Sequence, residues 1–197
     1  DLSYEKYFGG KGYVSAAYFY KDLSSYIYYS RVPYDFSGYP LPPPGPGVPT
    51  SPIGEYNQPI NGQGGTLKGL ELAVSVPLDL LWEPLEGFGI QASYSDTKSS
   101  IEPYGPGSTQ PMPGLSKYVS NITAYYEKHG FSIRYSQRSR SDFRCETRGF
   151  GADLTTVDCD AETVQDAQIN YTFGSGALEG LSLYLQFSNI GDEPATQ

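Results

Sequence analysis

The chain has 197 residues, of which 38% are hydrophobic, and it carries a net charge of -9 at pH 7. This acidity argues against a nucleic-acid partner, because binding phosphates requires a basic patch that releases counterions. No apolar run approaches the roughly 20 residues that a membrane-spanning helix needs. With 23 Gly, 16 Pro and 19 Tyr, the composition disfavours helices and predicts an all-β chain.

Alternation of apolar and polar residues predicts about eight strands in chain order. They lie near residues 1–9, 13–30, 64–77, 88–100, 118–128, 131–144, 163–174 and 181–190. Most are longer than the roughly 5–6 residues of an ordinary strand, and they match the roughly 9–11 tilted residues that cross a bilayer. Strand length therefore favours an antiparallel transmembrane β-barrel.

The connections between these strands alternate between short and long. Tight turns such as "GGKG" and "HG" are separated by long connections, notably those around residues 31–62 and 145–162. In an antiparallel meander, alternate connections lie at opposite ends of the sheet. We therefore predict that the long loops share one end, as in membrane barrels, which have short periplasmic turns and long extracellular loops.

The last strands have one apolar and one polar face. We predict that the apolar face contacts lipid through Leu181, Leu183, Leu185, Phe187, Ile169, Tyr171 and Phe173. The polar face would line the lumen through Asp166, Gln168, Asn170, Arg134 and Arg138. A soluble antiparallel sheet with one face in bulk water gives the same alternation.

The two cysteines, Cys145 and Cys159, lie in one polar segment, "CETRGFGADLTTVDC". A disulfide here would close a 15-residue loop, and such a loop contributes about 3 kcal/mol in the chain-entropy model. We predict this bridge, in an extracellular loop, since disulfides persist in oxidising compartments. Two free thiols in a cytosolic protein are the alternative.

No motif in the sequence indicates catalysis, a cofactor or a metal. The chain has no GxSxG, Walker or HExxH motif, and its single histidine, His129, lies in a tight turn. The acidic residues near the cysteines have no calcium-loop spacing: Asp153, Asp158, Asp160 and Glu162. We therefore predict a protein that is not an enzyme.

Two groups of residues are candidates for ligand binding. Tyr34, Phe36 and Tyr39 lie beside a proline-rich stretch, where flat rings can stack on a sugar or a chelate ring. An aromatic belt at the membrane edge is the alternative for the tyrosines just before them. Arg134 and Arg138 could hold an anionic ligand, or they could contact a plug or neighbouring carboxylates.

Three segments resemble the C-terminal barrel region of TonB-dependent outer-membrane receptors. They are "DLSYEKYFGGKGYVSAAYFYKDLSSYI", "NGQGGTLKGLELAVSVPLDLL" and "AQINYTFGSGALEGLSLYLQFSNIGDEP". In the last of these, Ile190 and Gly191 stand where the family commonly has Leu-Thr. The resemblance implies a partial C-terminal barrel over residues 1–197, about eight of roughly 22 strands, with the plug domain and the final strand outside it.

The resemblance also implies a location and partners. A bacterial outer-membrane receptor would contact membrane lipid, its own plug domain, the remaining barrel strands and, through a missing N-terminal part, the TonB complex. Its activity would be the uptake of a small ligand, for which we favour a glycan over a ferric siderophore because the chain is acidic. The alternatives are a soluble β-rich carbohydrate-binding module and a small eight-stranded structural barrel.

Overall fold

The computed structural model describes residues 1–40, 43, 45–47, 51–102, 107, 109–148 and 154–194. Within them lie ten strands and two short 3₁₀ turns, at Leu78–Leu80 and Glu83–Leu85. The strands are β1 Leu2–Phe8, β2 Gly12–Asp35, β3 Ile53–Pro77, β4 Phe88–Ile101, β5 Tyr118–Lys128, β6 Phe131–Arg140, β7 Phe143–Arg148, β8 Leu154–Cys159, β9 Glu162–Thr172 and β10 Ser182–Phe187. No helix in this part of the chain has the length and apolar character needed to cross a membrane.

Eight strands form one sheet in the order β1-β2-β3-β4-β5-β6-β9-β10. The pairs β1–β2, β4–β5, β5–β6, β6–β9 and β9–β10 are antiparallel. The predicted all-β meander is therefore confirmed. In the described residues β1 and β10 are the edge strands, so the sheet does not close on itself as a small eight-stranded barrel would.

The chain divides into two compact units. The first comprises Asp1–Lys21, Leu67–Lys98 and Pro113–Gln197, and it contains most of the sheet. The second comprises Asp22–Thr66 and Ser99–Met112. It consists mainly of the paired outer portions of β2 and β3, which are 24 and 25 residues long in total.

In the first unit, the turns joining successive strands meet at one end of the sheet, which we call the turn end. Leu80, in the β3–β4 connection, packs against Gly9 in the β1–β2 turn. Lys128, where β5 ends, forms an ion pair with Glu86 at 2.7 Å. Thr172 donates its backbone N–H to the carbonyl of Gly130 in the β5–β6 turn.

Longer connections lie at the opposite end of the first unit, which we call the loop end. Here Ser141 donates its backbone N–H to the carbonyl of Tyr118, and its hydroxyl accepts the N–H groups of Lys117 and Tyr118. Gly114 donates its N–H to the carbonyl of Arg144 at 2.7 Å. The β4–β5 and β6–β9 connections are thus hydrogen-bonded together, as the alternation of connection lengths predicts.

The β6–β9 connection contains a separate two-stranded hairpin, formed by β7 and β8. The predicted disulfide between Cys145 and Cys159 joins its two strands. Arg144 and Asp158 face each other across the hairpin, 3.2 Å apart. The sequence pattern predicted an irregular loop here and a preceding strand that extends to residue 144, whereas β6 ends at Arg140.

The two strands of the second unit are also longer than the sequence pattern predicts. The connection predicted around residues 31–62 is reduced to 36–52, because β2 continues to Asp35 and β3 begins at Ile53. Pro52 closes this pairing by accepting the backbone N–H of Phe36 at 2.9 Å. Gly and Pro residues within 53–64 disfavour a strand locally, and the sequence pattern therefore predicts a connection there.

Gly64 lies where the backbones of β3 and β2 approach closely. A Cβ at this position would overlap the carbonyl of Leu23, and a Cβ at Gly65 would overlap that of Ser100. We therefore expect Gly64→Ala to lower the free energy of unfolding by about 1–3 kcal/mol, because backbone must shift. Gly38→Ala, where nothing lies within 4 Å of the added Cβ, is the control. Equal losses in denaturant titrations of the two variants would contradict the close approach.

Candidate functional site

An aromatic cluster occupies the second unit, at the outer end of the β2–β3 hairpin. The ring centroid of Tyr34 lies 4.8 Å from that of Phe36 and 6.4 Å from that of Tyr39. Phe36 and Tyr39 are 5.8 Å apart. Tyr39 donates its backbone N–H to the carbonyl of Phe36, which bends the chain so that the rings converge. The three aromatic residues predicted from sequence are thus neighbours.

This cluster also contains a fourth ring, which the sequence analysis did not predict. Tyr56 on β3 lies 5.7 Å from Tyr34, centroid to centroid. Its neighbour Glu55 pairs with Arg31 across the hairpin at 3.5 Å. Tyr56 could have been predicted only if residues 53–60 had been recognised as a strand that pairs with the end of β2. The prolines before and after Tyr56 disfavour a strand there. We call Tyr34, Phe36, Tyr39 and Tyr56 the aromatic cluster.

Arg134 and Arg138 lie on β6, which belongs to the first unit. Arg134 is paired with Tyr125 on β5 and with Gln168 on β9, and its guanidinium carbon lies 5.8 Å from the Tyr125 ring centroid. Arg138 is paired with Asn121 and Val164. Since directly paired residues share a face of a sheet, both arginines lie on the same face as these partners.

We call the face that carries Arg134 and Arg138 the polar face. Other side chains on it form hydrogen bonds between neighbouring strands. Thr123 and Ser136 are 3.1 Å apart through their hydroxyl oxygens, and the Asn121 amide donates to the Ser93 hydroxyl at 3.2 Å. Tyr184 on β10 donates to Gln168 at 3.1 Å. The predicted polar set of β6 and β9 is thus on one face: Arg134, Arg138, Asp166, Gln168 and Asn170.

The segment after β10 is fixed to the loop end of the polar face. Asn189 accepts the backbone N–H of Glu193 and donates its amide to the Glu193 carbonyl, both at 2.9 Å. Glu193 in turn accepts the backbone N–H of Thr163, at the start of β9. Asp166 accepts the backbone N–H of Asn189. These bonds join the "SNIGDEP" segment after β10 to β9.

The opposite face of the first unit, the apolar face, is aliphatic in its middle and aromatic toward both ends. Leu183, Leu185 and Phe187 pair with Tyr171, Ile169 and Ala167. Aromatic contacts near the turn end join Phe88, Tyr126 and Phe131, with centroids 4.6 and 6.2 Å apart. Near the loop end, Tyr94 stacks on Tyr118 at 6.3 Å.

The described residues contain no group of three or more His, Cys, Asp or Glu side chains placed to hold a metal ion. Of the acidic residues considered above, Asp158 pairs with Arg144, and Glu162 lies 4.0 Å from Arg140. Asp153 lies outside the described residues.

Comparison with known proteins identifies the family to which this two-faced sheet belongs. A family model described as "TonB dependent receptor-like, beta-barrel" matches residues 1–190. Searches of curated proteins and of solved structures gave no match. The family model covers nearly the whole chain, and its description as a beta-barrel agrees with the antiparallel sheet. The chain therefore belongs to the β-barrel family of TonB-dependent receptors.

Proposed function

We propose that this chain forms part of the wall and outer loops of a bacterial outer-membrane receptor that takes up a small ligand actively. The observation that carries the proposal is the family match over residues 1–190. The family consists of transporters, in which a plug domain and the TonB complex act together with the barrel. We accordingly assign this chain no catalytic step and a structural share in transport.

The dimensions of the apolar face support its assignment to lipid. Tyr118 and Tyr126, at the two aromatic levels of β5, are eight residues apart. At about 3.3 Å per residue they are separated by about 26 Å along the strand. A strand tilt of about 40° reduces this to about 20 Å of height, close to the roughly 25 Å apolar band of outer-membrane barrels. The polar face, with Arg134 and Arg138, would then line the lumen.

The exposed apolar residues of the two edge strands support the proposal that further barrel strands pair with them. The edge of β10 carries exposed apolar residues, including Leu183, whose residue surface is 56% exposed, and β1 carries Leu2 at 75%. Exposed apolar edge strands promote aggregation in isolated sheets. In the proposed receptor, both edges pair with the remaining barrel strands, and the polar face contacts the plug domain.

Strand length supports our placing the second unit in the aqueous phase outside the cell. β2 and β3 have 24 and 25 residues, whereas a crossing takes about 9–11. More than half of each strand therefore lies outside the hydrocarbon region. We assign the outer hairpin to the extracellular side, together with the disulfide hairpin, because long loops of this family of barrels face outward.

The chemistry of the second unit favours a glycan as the ligand. Its sequence contains one arginine, Arg31, against four carboxylates, Asp22, Asp35, Glu55 and Glu102, which leaves a net charge of -3. An anionic ferric chelate would be repelled by this charge. The aromatic cluster offers neutral ring faces, which stack on the apolar faces of sugars without requiring charge.

Uptake by the full-length receptor tests the proposal. In a host that lacks its own receptors, we expect uptake of labelled oligosaccharides that stops when the proton-motive force is collapsed. Ferric siderophores should not enter. Uptake of siderophores alone would overturn the glycan assignment, while ligand entry unaffected by loss of the proton-motive force would overturn active transport.

A further inference from the structure

Three lysines lie on or beside three neighbouring strands, β3, β4 and β5, toward the loop end of the first unit. They are Lys68 near the start of this unit's part of β3, Lys98 at the end of its part of β4, and Lys117 just before β5. All three are exposed. We call Lys68, Lys98 and Lys117 the lysine rim.

Alternation along the strands places the first two on the apolar face. On β3, Leu72 and Val74 line an apolar groove together with Ala92 and Tyr94 of β4. Lys68 precedes Leu72 by four residues, and Lys98 follows Tyr94 by four. Side chains two or four residues apart on a strand point to the same face of the sheet. Lys68 therefore lies on the face of Leu72, and Lys98 lies on the face of Tyr94.

Lys117 reaches the same face through the ring beside it. Its ammonium nitrogen lies 4.5 Å from the ring centroid of Tyr118. Tyr118 is paired with Asp96 and stacks on Tyr94, both on the apolar face. The hydrogen bond with Tyr118, helped by the negative charge of Asp96, raises the pKa of Lys117 above its ordinary value. Lys117 therefore remains a cation at neutral pH.

The charge of this region opposes that of the whole chain. The rim contributes three ammonium groups in a chain whose net charge is -9, and the carboxylate of Asp96 acts on Lys117. Among the described residues, no ion pair includes a lysine of the rim. Lys128, by contrast, is paired with Glu86 at the turn end. The rim thus has positive charge available for an external anion.

The location of the rim determines which anion it fits. It lies just beyond the aromatic level formed by Tyr94 and Tyr118, and such rings mark the headgroup level of a bilayer. Lysines at this level extend their apolar stems along the hydrocarbon and place their ammonium groups among the headgroups. An ammonium group binds phosphate as a point charge.

We propose that Lys68, Lys98 and Lys117 bind phosphate groups of lipids in the leaflet that borders the loop end. This proposal rests on the function proposed above, in which the apolar face contacts lipid. The rim would attract phosphorylated lipids to an otherwise acidic wall and fix the height of β3, β4 and β5 in the bilayer.

Lipid retention by the full-length receptor tests this proposal. Receptor is inserted into phosphatidylcholine bilayers with and without bisphosphorylated lipid A and extracted into detergent, and the retained lipid A is measured by mass spectrometry. We expect the triple variant Lys68→Gln/Lys98→Gln/Lys117→Gln to retain about tenfold less than the unaltered receptor, since each lysine near a charged surface adds substantial attraction. The control, Lys21→Gln/Arg31→Gln/Arg140→Gln, has the same change of charge at positions away from the apolar face and should retain lipid A normally.

Each outcome has a defined meaning. Equal retention by the rim variant and the unaltered receptor, or equal loss in the control variant, would overturn the proposal. Competition by millimolar inorganic phosphate as strong as that by lipid A would show a site for free phosphate and overturn the lipid assignment. Insertion is measured separately, by resistance to extraction in alkaline carbonate. Failure to insert would overturn the proposed function itself, whereas insertion without lipid A retention would overturn only this inference.

Discussion

Replacing Ile122 with arginine is expected to lower the free energy of unfolding in a bilayer by about 2–4 kcal/mol. Ile122 lies in the middle of β5, four residues from each of Tyr118 and Tyr126. If the apolar face contacts lipid, the new guanidinium lies near the bilayer midplane, where desolvating a charge is most costly. In a soluble sheet the same side chain would lie in water, since Ile122 is already 49% exposed.

Denaturant titration of the full-length receptor in lipid vesicles measures this effect. Gln91→Arg is the matched control, because Gln91 lies on β4 beside Ala92, the partner of Ile122, but on the polar face with Thr123. We expect this control to stay within about 0.5 kcal/mol of the unaltered receptor, as surface substitutions usually do. A penalty for Gln91→Arg with none for Ile122→Arg would show that the two faces are assigned the wrong way round.

The second large effect is expected in the aromatic cluster. Replacing Tyr34, Phe36 and Tyr39 together by alanine should weaken glycan binding by about 30-fold or more, because an aromatic residue that its ligand covers at the centre of a binding site contributes about 2 kcal/mol or more. Tyr56→Ala should reproduce part of this loss, since its ring lies 5.7 Å from that of Tyr34. Titration calorimetry with the transported glycan gives both values.

A tyrosine outside the cluster provides the control. Tyr29 lies on the same strand and is 59% exposed, yet it makes none of the ring contacts of the cluster within the described residues. Tyr29→Ala should leave glycan binding unchanged. Unaltered glycan binding in the triple variant, with reduced uptake of a ferric chelate, would reverse the ligand assignment.

The part of the fold that could be predicted from sequence is the part with strict alternation. In β9, Gln168 and Asn170 alternate with Ile169 and Tyr171, so a period of two fixes both the strand and its two faces. The disulfide between Cys145 and Cys159 was also predictable, since the chain contains two cysteines. Glycine and proline at the turns made the alternation of connection lengths visible.

Other features depend on pairing that no local pattern reveals. Residues 53–63 of β3 contain Gly54, Pro59 and Gly62, which disfavour a strand locally, yet pairing with β2 holds them extended. The place of Tyr56 in the aromatic cluster follows from that pairing and was missed for the same reason. The β7–β8 hairpin is short and polar, so its six-residue strands resemble a loop. The lysine rim gathers residues 68, 98 and 117, which are distant in sequence.

The central claim is that the apolar face contacts lipid and the polar face contacts water, and labelling of single engineered cysteines tests it most directly. Leu183→Cys and Gln168→Cys place a thiol on each face, and the native cysteines do not react because they are joined in the disulfide. We predict that a maleimide confined to the hydrocarbon phase labels position 183 of the full-length receptor and that a charged, water-soluble maleimide labels position 168. Labelling of position 168 from the lipid phase, with position 183 protected there, would contradict this account.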